Sequence, residues 1–501
     1  MAALHSRRSA LRRIVVAAVL ALALVAAATV NLGRGPAGPN VLFAPAFSVS
    51  PQNSDSSTWY CTVPRLDKVP GVSIGLELTN LSPRAQRASV DFYSGNGKDL
   101  HKAYSVPAGT NLPVTLELPA SKPGGVEVTF PGGGNVVGMV ATGSQGYSQL
   151  LCQPSPGPQW LVEGMSTQGS STAALAVFNP FGADAIVDIA FLTPSGLQQP
   201  GPLQAIVVGG HSTTEVYLPN WLQGVGPIAA QVTTRIGRVV AGAVEVRSDP
   251  SATGVVLVPV SAEIFSGYDF PLLSVTANQG VTLQLYNLSG TEQTANVSIS
   301  TLSSVGGVSA TTTTTAVPST TLQVGSSRFK ESVPAQGTMS IPLKTIASVP
   351  IGTPFSMHVS GGVVAMVVAK GSSAGPLVGL FEEPGVKLSW HRWLELLYGP
   401  SAAEAGSQVA MVVGSGGKRG SGLVEPFYFV HHALSAQLSG IDSVAGVPFV
   451  VDSSQVQVFP SEFPGGLPVA FTISTSRDTV PAMALIGSDG SLTPFSQIPV
   501  N

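Results

Sequence analysis

Charge is scarce in this sequence: Asp, Glu, Lys and Arg make up only 10% of its 501 residues, against about 25% in an ordinary soluble domain. The 24 basic and 27 acidic residues leave a formal net charge of −3. No basic face is available to neutralise a phosphate backbone, so no nucleic-acid partner is expected. Cysteine is scarcer still, with Cys61 and Cys152 alone. Two lone thiols with no C-x-x-C and no nearby His pair make a poor metal site. The one adjacent His pair, His431-His432, reads as part of a strand, whose alternation sends the two rings to opposite faces. No metal and no cofactor are expected.

The chain is rich in turn formers, with 56 Gly and 40 Pro, a mix that fits many short strands better than helices. Its length suits three or four domains at roughly 100–200 residues each. At the N-terminus, Arg7, Arg8, Arg12 and Arg13 precede an uncharged run, Ile14 to Val30, and only Arg34 follows nearby. That asymmetry places residues 1–13 in the cytoplasm and the rest outside. Residues 14–30 then act as a transmembrane signal anchor, or as a cleaved signal peptide if Ala26-x-Ala28 is a processing site. Ser6 to Arg12 also loosely resembles a twin-arginine export signal. In an oxidising exterior a Cys61–Cys152 disulfide is the default, with a loop-entropy contribution of about 4–5 kcal/mol.

Residues 34–58 read as a linker, and beyond it one pattern recurs. Leu76-Glu77-Leu78-Thr79-Asn80, Leu175-Ala176-Val177-Phe178-Asn179 and Leu283-Gln284-Leu285-Tyr286-Asn287 share apolar, any, apolar, any, Asn. Each is followed by an alternating run around Val90, Val187 or Val297. A turn comes next, starting at Val106, Val208 or Val333, and each copy closes with a Val-Val pair at 136/137, 239/240 or 363/364. Alternation with period two predicts strands with one buried face. Units of about 100 residues with roughly seven such strands predict tandem immunoglobulin-like β-sandwiches, an all-β fold after one N-terminal helix. The expected domains are 59–152, 157–262, 265–380 and a degenerate fourth, 386–501, which lacks the Asn. Trp59, Trp160 and Trp393 precede their copies at similar distances and are expected to plug cores. The Asn residues are expected to end strands through Asx turns. Glycosylation is the rival reading: it fits the triplets at Asn80, Asn287 and Asn296 but not Asn179-Pro180-Phe181.

No catalytic constellation stands out. Gly371-Ser372-Ser373-Ala374-Gly375 matches G-x-S-x-G, yet Pro376 and Gly379 follow where a helix is required. Gly414 to Gly422 has a Lys among glycines, but Arg419 stands where a phosphate loop needs Ser or Thr; it reads as a hairpin tip. Glu382-Glu383, in an apparent linker, and the scattered Asp442, Asp452 and Glu462 offer no pair flanking one bond. Thr311 to Thr315 reads as an insertion loop open to O-linked sugar.

The Trp59-Tyr60-Cys61 start, the run Leu175-x-Val177-x-Asn179-Pro180 through Ile189, and the closing G-x-V-V hairpin together resemble a family of exported, membrane-anchored actinobacterial proteins, known only as a domain of unknown function. The resemblance covers most of residues 55–501. It implies a cell-envelope location and supplies no catalytic residues. The expectation is a non-enzymatic extracytoplasmic protein, held to the membrane by its N-terminal helix, that binds or scaffolds an envelope protein or polysaccharide. Alternatives are a carbohydrate-processing enzyme with a loop-built site in the C-terminal units, and a passive spacer.

Overall fold

The computed structural model describes residues 55–370, apart from short breaks and the loop 306–325, and strand backbones alone beyond 370. The Ile14 to Val30 run lies outside the described residues, among which no helix is long and apolar enough to cross a membrane.

The first sandwich holds β1 (Ser57–Val63), β2 (Ser73–Asn80), β3 (Gln86–Tyr93), β4 (Lys98–Val106), β5 (Thr110–Thr115), β6 (Gly124–Phe130), β7 (Asn135–Gly143) and β8 (Gly146–Leu151). They form two antiparallel sheets, ordered β1-β6-β3-β4 and β5-β2-β7-β8. Alternation sends Trp59, Val90, Phe92, Val126 and Val128 inward from one sheet to meet Leu76, Leu78, Val137 and Met139 from the other. Each large side chain so buried contributes roughly 1.5–3 kcal/mol.

The second sandwich repeats this order. Its strands are β9 (Gln159–Met165), β10 (Thr172–Asn179), β11 (Ala185–Thr193), β12 (Gly196–Gln198), β13 (Ile206–Val208), β14 (Ser212–Tyr217), β15 (Ile228–Ile236), β16 (Val240–Ser248), β17 (Thr253–Val258) and β18 (Val260–Ser261). The third holds β19 (Gly267–Leu273), β20 (Val281–Tyr286), β21 (Gln293–Thr301), β23 (Ser326–Val333), β24 (Thr338–Pro342), β25 (Phe355–Ser360), β26 (Val364–Lys370) and β27 (Leu380–Pro384), while β22 (Ser303–Val305) pairs with a strand of the C-terminal sheet. Its sheets run β19-β25-β21-β23 and β24-β20-β26-β27.

Beyond it lie β28 (Trp390–Leu396), β29 (Gln408–Gly414), β30 (Gly420–Phe427), β31 (Val447–Val451), β32 (Gln455–Phe459), β33 (Ala470–Ile486), β34 (Leu492–Pro494) and β35 (Ser496–Pro499). Although this copy lacks the Asn, its pairings are those of the others. The first half of β33 pairs with β28 and β30, and its second half with β29 and β34. One long strand therefore serves as both the sixth and the seventh.

The sandwich architecture is the one expected, but the order of its strands differs. An immunoglobulin domain pairs its first strand with its second and its seventh with its sixth. Here β1 pairs with β6 and β7 with β2, so the two have exchanged sheets. In the second copy the match to Val90 also shifts. Ile189, not Val187, stands in the row of Val232 and Trp160, ten residues after Asn179 as Val90 is after Asn80.

The recurring Asn is a staple. Asn80 Nδ2 donates to the carbonyls of Arg84, Val106 and Pro107 at 2.8, 3.0 and 3.1 Å. Asn179 reaches Ala183, Val208 and Gly209 at 2.7, 3.1 and 3.2 Å. Asn287 reaches Thr291, Val333 and Pro334 at 2.8, 3.1 and 2.9 Å. Each Oδ1 accepts the N–H two residues on, as an Asx turn does. All three side chains are fully buried with their amide donors committed, which leaves no nitrogen for a sugar. The turn each one clamps has a left-handed residue at the same place: Gly109, His211 and Gln336, at φ 63, 51 and 47°.

Successive sandwiches share cores. Val244, Val255 and Leu257 of the second join the core of the first, and one apolar cluster runs from Trp160 to Val368 through the second and third. Gly125 and Gly242 permit the close approach of the first two, because a Cβ on either would collide with the Phe178 ring or with Thr62. Cys61 and Cys152 form a disulfide with Cα atoms 4.8 Å apart. Beside it Tyr60 and Gln153 exchange backbone hydrogen bonds, both 2.8 Å, so the chain leaving the first sandwich lies against its entry strand. The second sandwich makes the same closure with β18 on β9, and the fourth with β35 on β28, by backbone pairing.

Candidate functional site

With the core side chains facing inward, the outer faces of the sheets hold what chemistry the chain offers. Register aligns one residue from each strand into rows across the sheet. In the first sandwich one row reads Tyr60, Glu127, Asp91, His101. The imidazole Nδ1 of His101 lies 2.5 Å from Asp91 Oδ1. Burial, with the Glu127 carboxylate alongside, pushes the Tyr60 phenol up to about 12. The same row in the second sandwich is uncharged, with Leu161, Gln231 and Ala190. One row away Arg235 Nε donates to Asp188 at 2.7 Å, and that bond holds the carboxyl below its ordinary range.

In the third sandwich the row becomes Asp269, His358, Ser298, Arg328. Its neighbour reads Ser360, Asn296, Lys330. Together these rows line an open cleft of about 350 Å³, floored by Val297 and Phe329. Arg328, Lys330, Asn296 and His358 are exposed, and His358 Nδ1 lies 2.7 Å from Asp269 Oδ1. Two permanent cations on edge strand β23 thus face hydroxyl and amide groups on β21, with a His–Asp pair beyond.

Asp269, His358 and Ser298 stand in the order of a hydrolase triad, but the geometry does not complete one. His358 is bonded to Asp269 and not to Ser298. The amides of the central strands are consumed by the ladder on either side of Ser298, so no backbone pair is free to hold an oxyanion. What the cleft can do is pair with a negative charge and hydrogen-bond to neutral polar groups around it.

Two carboxyls lie apart from this face. Glu163 in β9 is fully buried, neither oxygen makes a hydrogen bond, and burial pushes it up to about 8, slightly offset by nearby Ser261. Burial, and after it the Glu163 charge, also raise Tyr268 of the third sandwich. Glu77 is pushed up to about 7 by burial, partly offset by Asn111.

Of the residues singled out in the sequence, Cys61 and Cys152 are joined as expected. Glu382 and Glu383 lie not in a linker but in β27, paired with β26. Gly414 ends β29 and Gly420 opens β30, and each of these strands pairs with β33 and not with the other, so they do not form a hairpin. Ser372, His431, His432, Asp442, Asp452, Glu462 and Thr311 to Thr315 lie outside the described residues. Among those described, no three His, Cys, Asp or Glu could hold a metal ion. The cleft residues had one signal in sequence, the alternation in "SSRFKESV" and "FSMHVS", which separates outward from inward positions without saying which strands meet.

No curated protein matches the sequence. Among solved structures, the GH78 family rhamnosidase of Bacillus sp. GL1 matches at 9% identity and a TM-score of 0.14, over 91% of this chain and 54% of that one. The Streptomyces avermitilis α-L-rhamnosidase complexed with L-rhamnose matches at 8% and 0.10, over 90% and 57%. The chain spans about half the length of these structures, and likenesses this weak carry no argument. The family of unknown function DUF5719 matches residues 67–327, more than half of the chain, and the protein belongs to that family.

Proposed function

We propose that this is a non-enzymatic, extracytoplasmic cell-envelope protein, held at the membrane by residues 14–30, that binds or scaffolds a protein or polysaccharide partner. The observation carrying this reading is the outer face of the third sandwich, where Arg328, Lys330, Asn296, Ser298 and His358 line one open cleft. A rigid sheet holds these groups in fixed register, which favours recognition. The incomplete triad speaks against hydrolysis there. The Cys61–Cys152 bond accords with an oxidising compartment, and the arginines before Ile14 accord with an exported bulk.

The test is in-cell photo-crosslinking from Ser300, two residues beyond Ser298 along β21 and so on the same face. A reproducible adduct with an envelope component, absent when the probe replaces a buried residue such as Val297, supports the reading. A face that captures nothing in intact cells would overturn it.

A further inference from the structure

We propose that the cleft on the third sandwich holds the carboxylate of an acidic polysaccharide, an inference that rests on this face being a binding site at all. Arg328 and Lys330 are two residues apart on β23, so both project from one face about 7 Å apart. Each heads a row: Arg328 faces Ser298, then His358 and Asp269, while Lys330 faces Asn296, then Ser360. The guanidinium fork matches a carboxylate with two parallel hydrogen bonds, and the lysine adds a movable point charge. A sugar ring attached to that carboxylate lies over β21, where Asn296 and Ser298 supply donors and acceptors for its hydroxyls.

The rest of the face narrows the ligand. A phosphate group is best held by clustered backbone N–H groups, and the ladder on both sides of β21 uses them up. Protein partners are anchored by exposed aromatic or apolar side chains. Here Val297 is buried and Phe329 packs against the core, so the outward groups are polar or charged. Asp269 stands three strand spacings from Arg328, about 14 Å, and repels a second carboxylate at that end. The ligand is therefore oriented, with its acid toward β23. Neither other row offers this: the first sandwich places Glu127 and Asp91 at its centre, and the second has no charge there.

The experiment uses the full-length chain in detergent with fluorescent hexagalacturonate as probe, read by anisotropy. A neutral dextran hexamer, inorganic polyphosphate and an oligoglutamate peptide are the comparisons. The expected result is saturable binding to hexagalacturonate, weakened about tenfold by Arg328→Ala and again by Lys330→Ala, reduced by salt, and absent for dextran. Both substituted residues are exposed, so an unchanged melting curve verifies that the variants fold. Wild-type affinity in the double variant overturns the site. No binding to hexagalacturonate, or tighter binding to polyphosphate or oligoglutamate, overturns the ligand class. If Ser300 still captures a component in cells, only this inference falls; if it captures nothing, the broader reading falls with it.

Discussion

His211 of the second sandwich lies on Tyr93 of the first, with ring centroids 5.1 Å apart and planes 20° from parallel. Phe178 stacks on the other part of the same tyrosine at 5.9 Å. The contact is made from a backbone that histidine adopts reluctantly, at φ 51°, where a side chain costs roughly 1–2 kcal/mol. The first sandwich uses Gly109 at the equivalent position. The stack itself is worth about 0.5–1.5 kcal/mol. His211→Gly, which loses the stack and the strain together, is expected to change stability little. His211→Ala, which keeps the strain, should lose about 1 kcal/mol. Urea midpoints of the two variants check this: no loss in His211→Ala would show that the ring is not what the interface needs, and equal losses in both would show that the backbone is not strained there.

Asn179→Ala should cost about 3 kcal/mol, because it removes three donations to backbone carbonyls that have little access to water. Asn179→Asp keeps the acceptor but not the donor, and should be nearly as damaging. Denaturant unfolding measures both. A loss below 1 kcal/mol for either would mean that the clamped turn holds by itself.

Replacing Cys61 and Cys152 by Ser opens a loop spanning 91 residues, which in the chain-entropy picture removes about 4–5 kcal/mol. Reductant added to the native sequence should shift its midpoint equally and leave the double variant untouched. A reductant effect on the variant would point to some other cause.

Glu163 and Glu77 set a pH dependence. Both are raised in the fold, to about 8 and about 7 from 4.5, so the folded state holds protons that the unfolded chain releases. Their contribution is whole below pH 4.5 and is lost as pH rises toward those values. The slope is about 1.4 kcal/mol per pH unit for each proton. The groups facing Glu163 are Tyr268 and Ser261, neither cationic. Unfolding at pH 5, 6.5 and 8 should show a decline that Glu163→Gln reduces. An identical profile in the variant would place the decline elsewhere.

Much of this fold could be read in the residues themselves. Alternation marked the strands, and Asn80, Asn179 and Asn287 marked equivalent points because a buried staple accepts no other side chain of that size and donor set. Where reading failed, the causes differed. Tyr268 holds in the third sandwich the place of Trp59, Trp160 and Trp393 in theirs, at 19 residues before Asn287 as Trp160 is before Asn179, and was hidden only by the change of side chain. Ile189 stands ten residues after Asn179, as Val90 and Val297 stand after Asn80 and Asn287, so the match to Val187 was a misalignment. The cleft was invisible because only pairing assembles it. Asp269, Ser298, Arg328 and His358 are scattered over some ninety positions and become neighbours only through register, in which a slip of one residue would turn each of them inward.

The closure of the first sandwich also defines how it carries tension. A pull on the chain enters at β1 and leaves after Cys152, and these two points are covalently joined. The load passes directly between them, and the strands in the intervening loop bear none of it. The second and fourth sandwiches bring the same two points together with hydrogen bonds alone. Under force they would open while the first stayed folded.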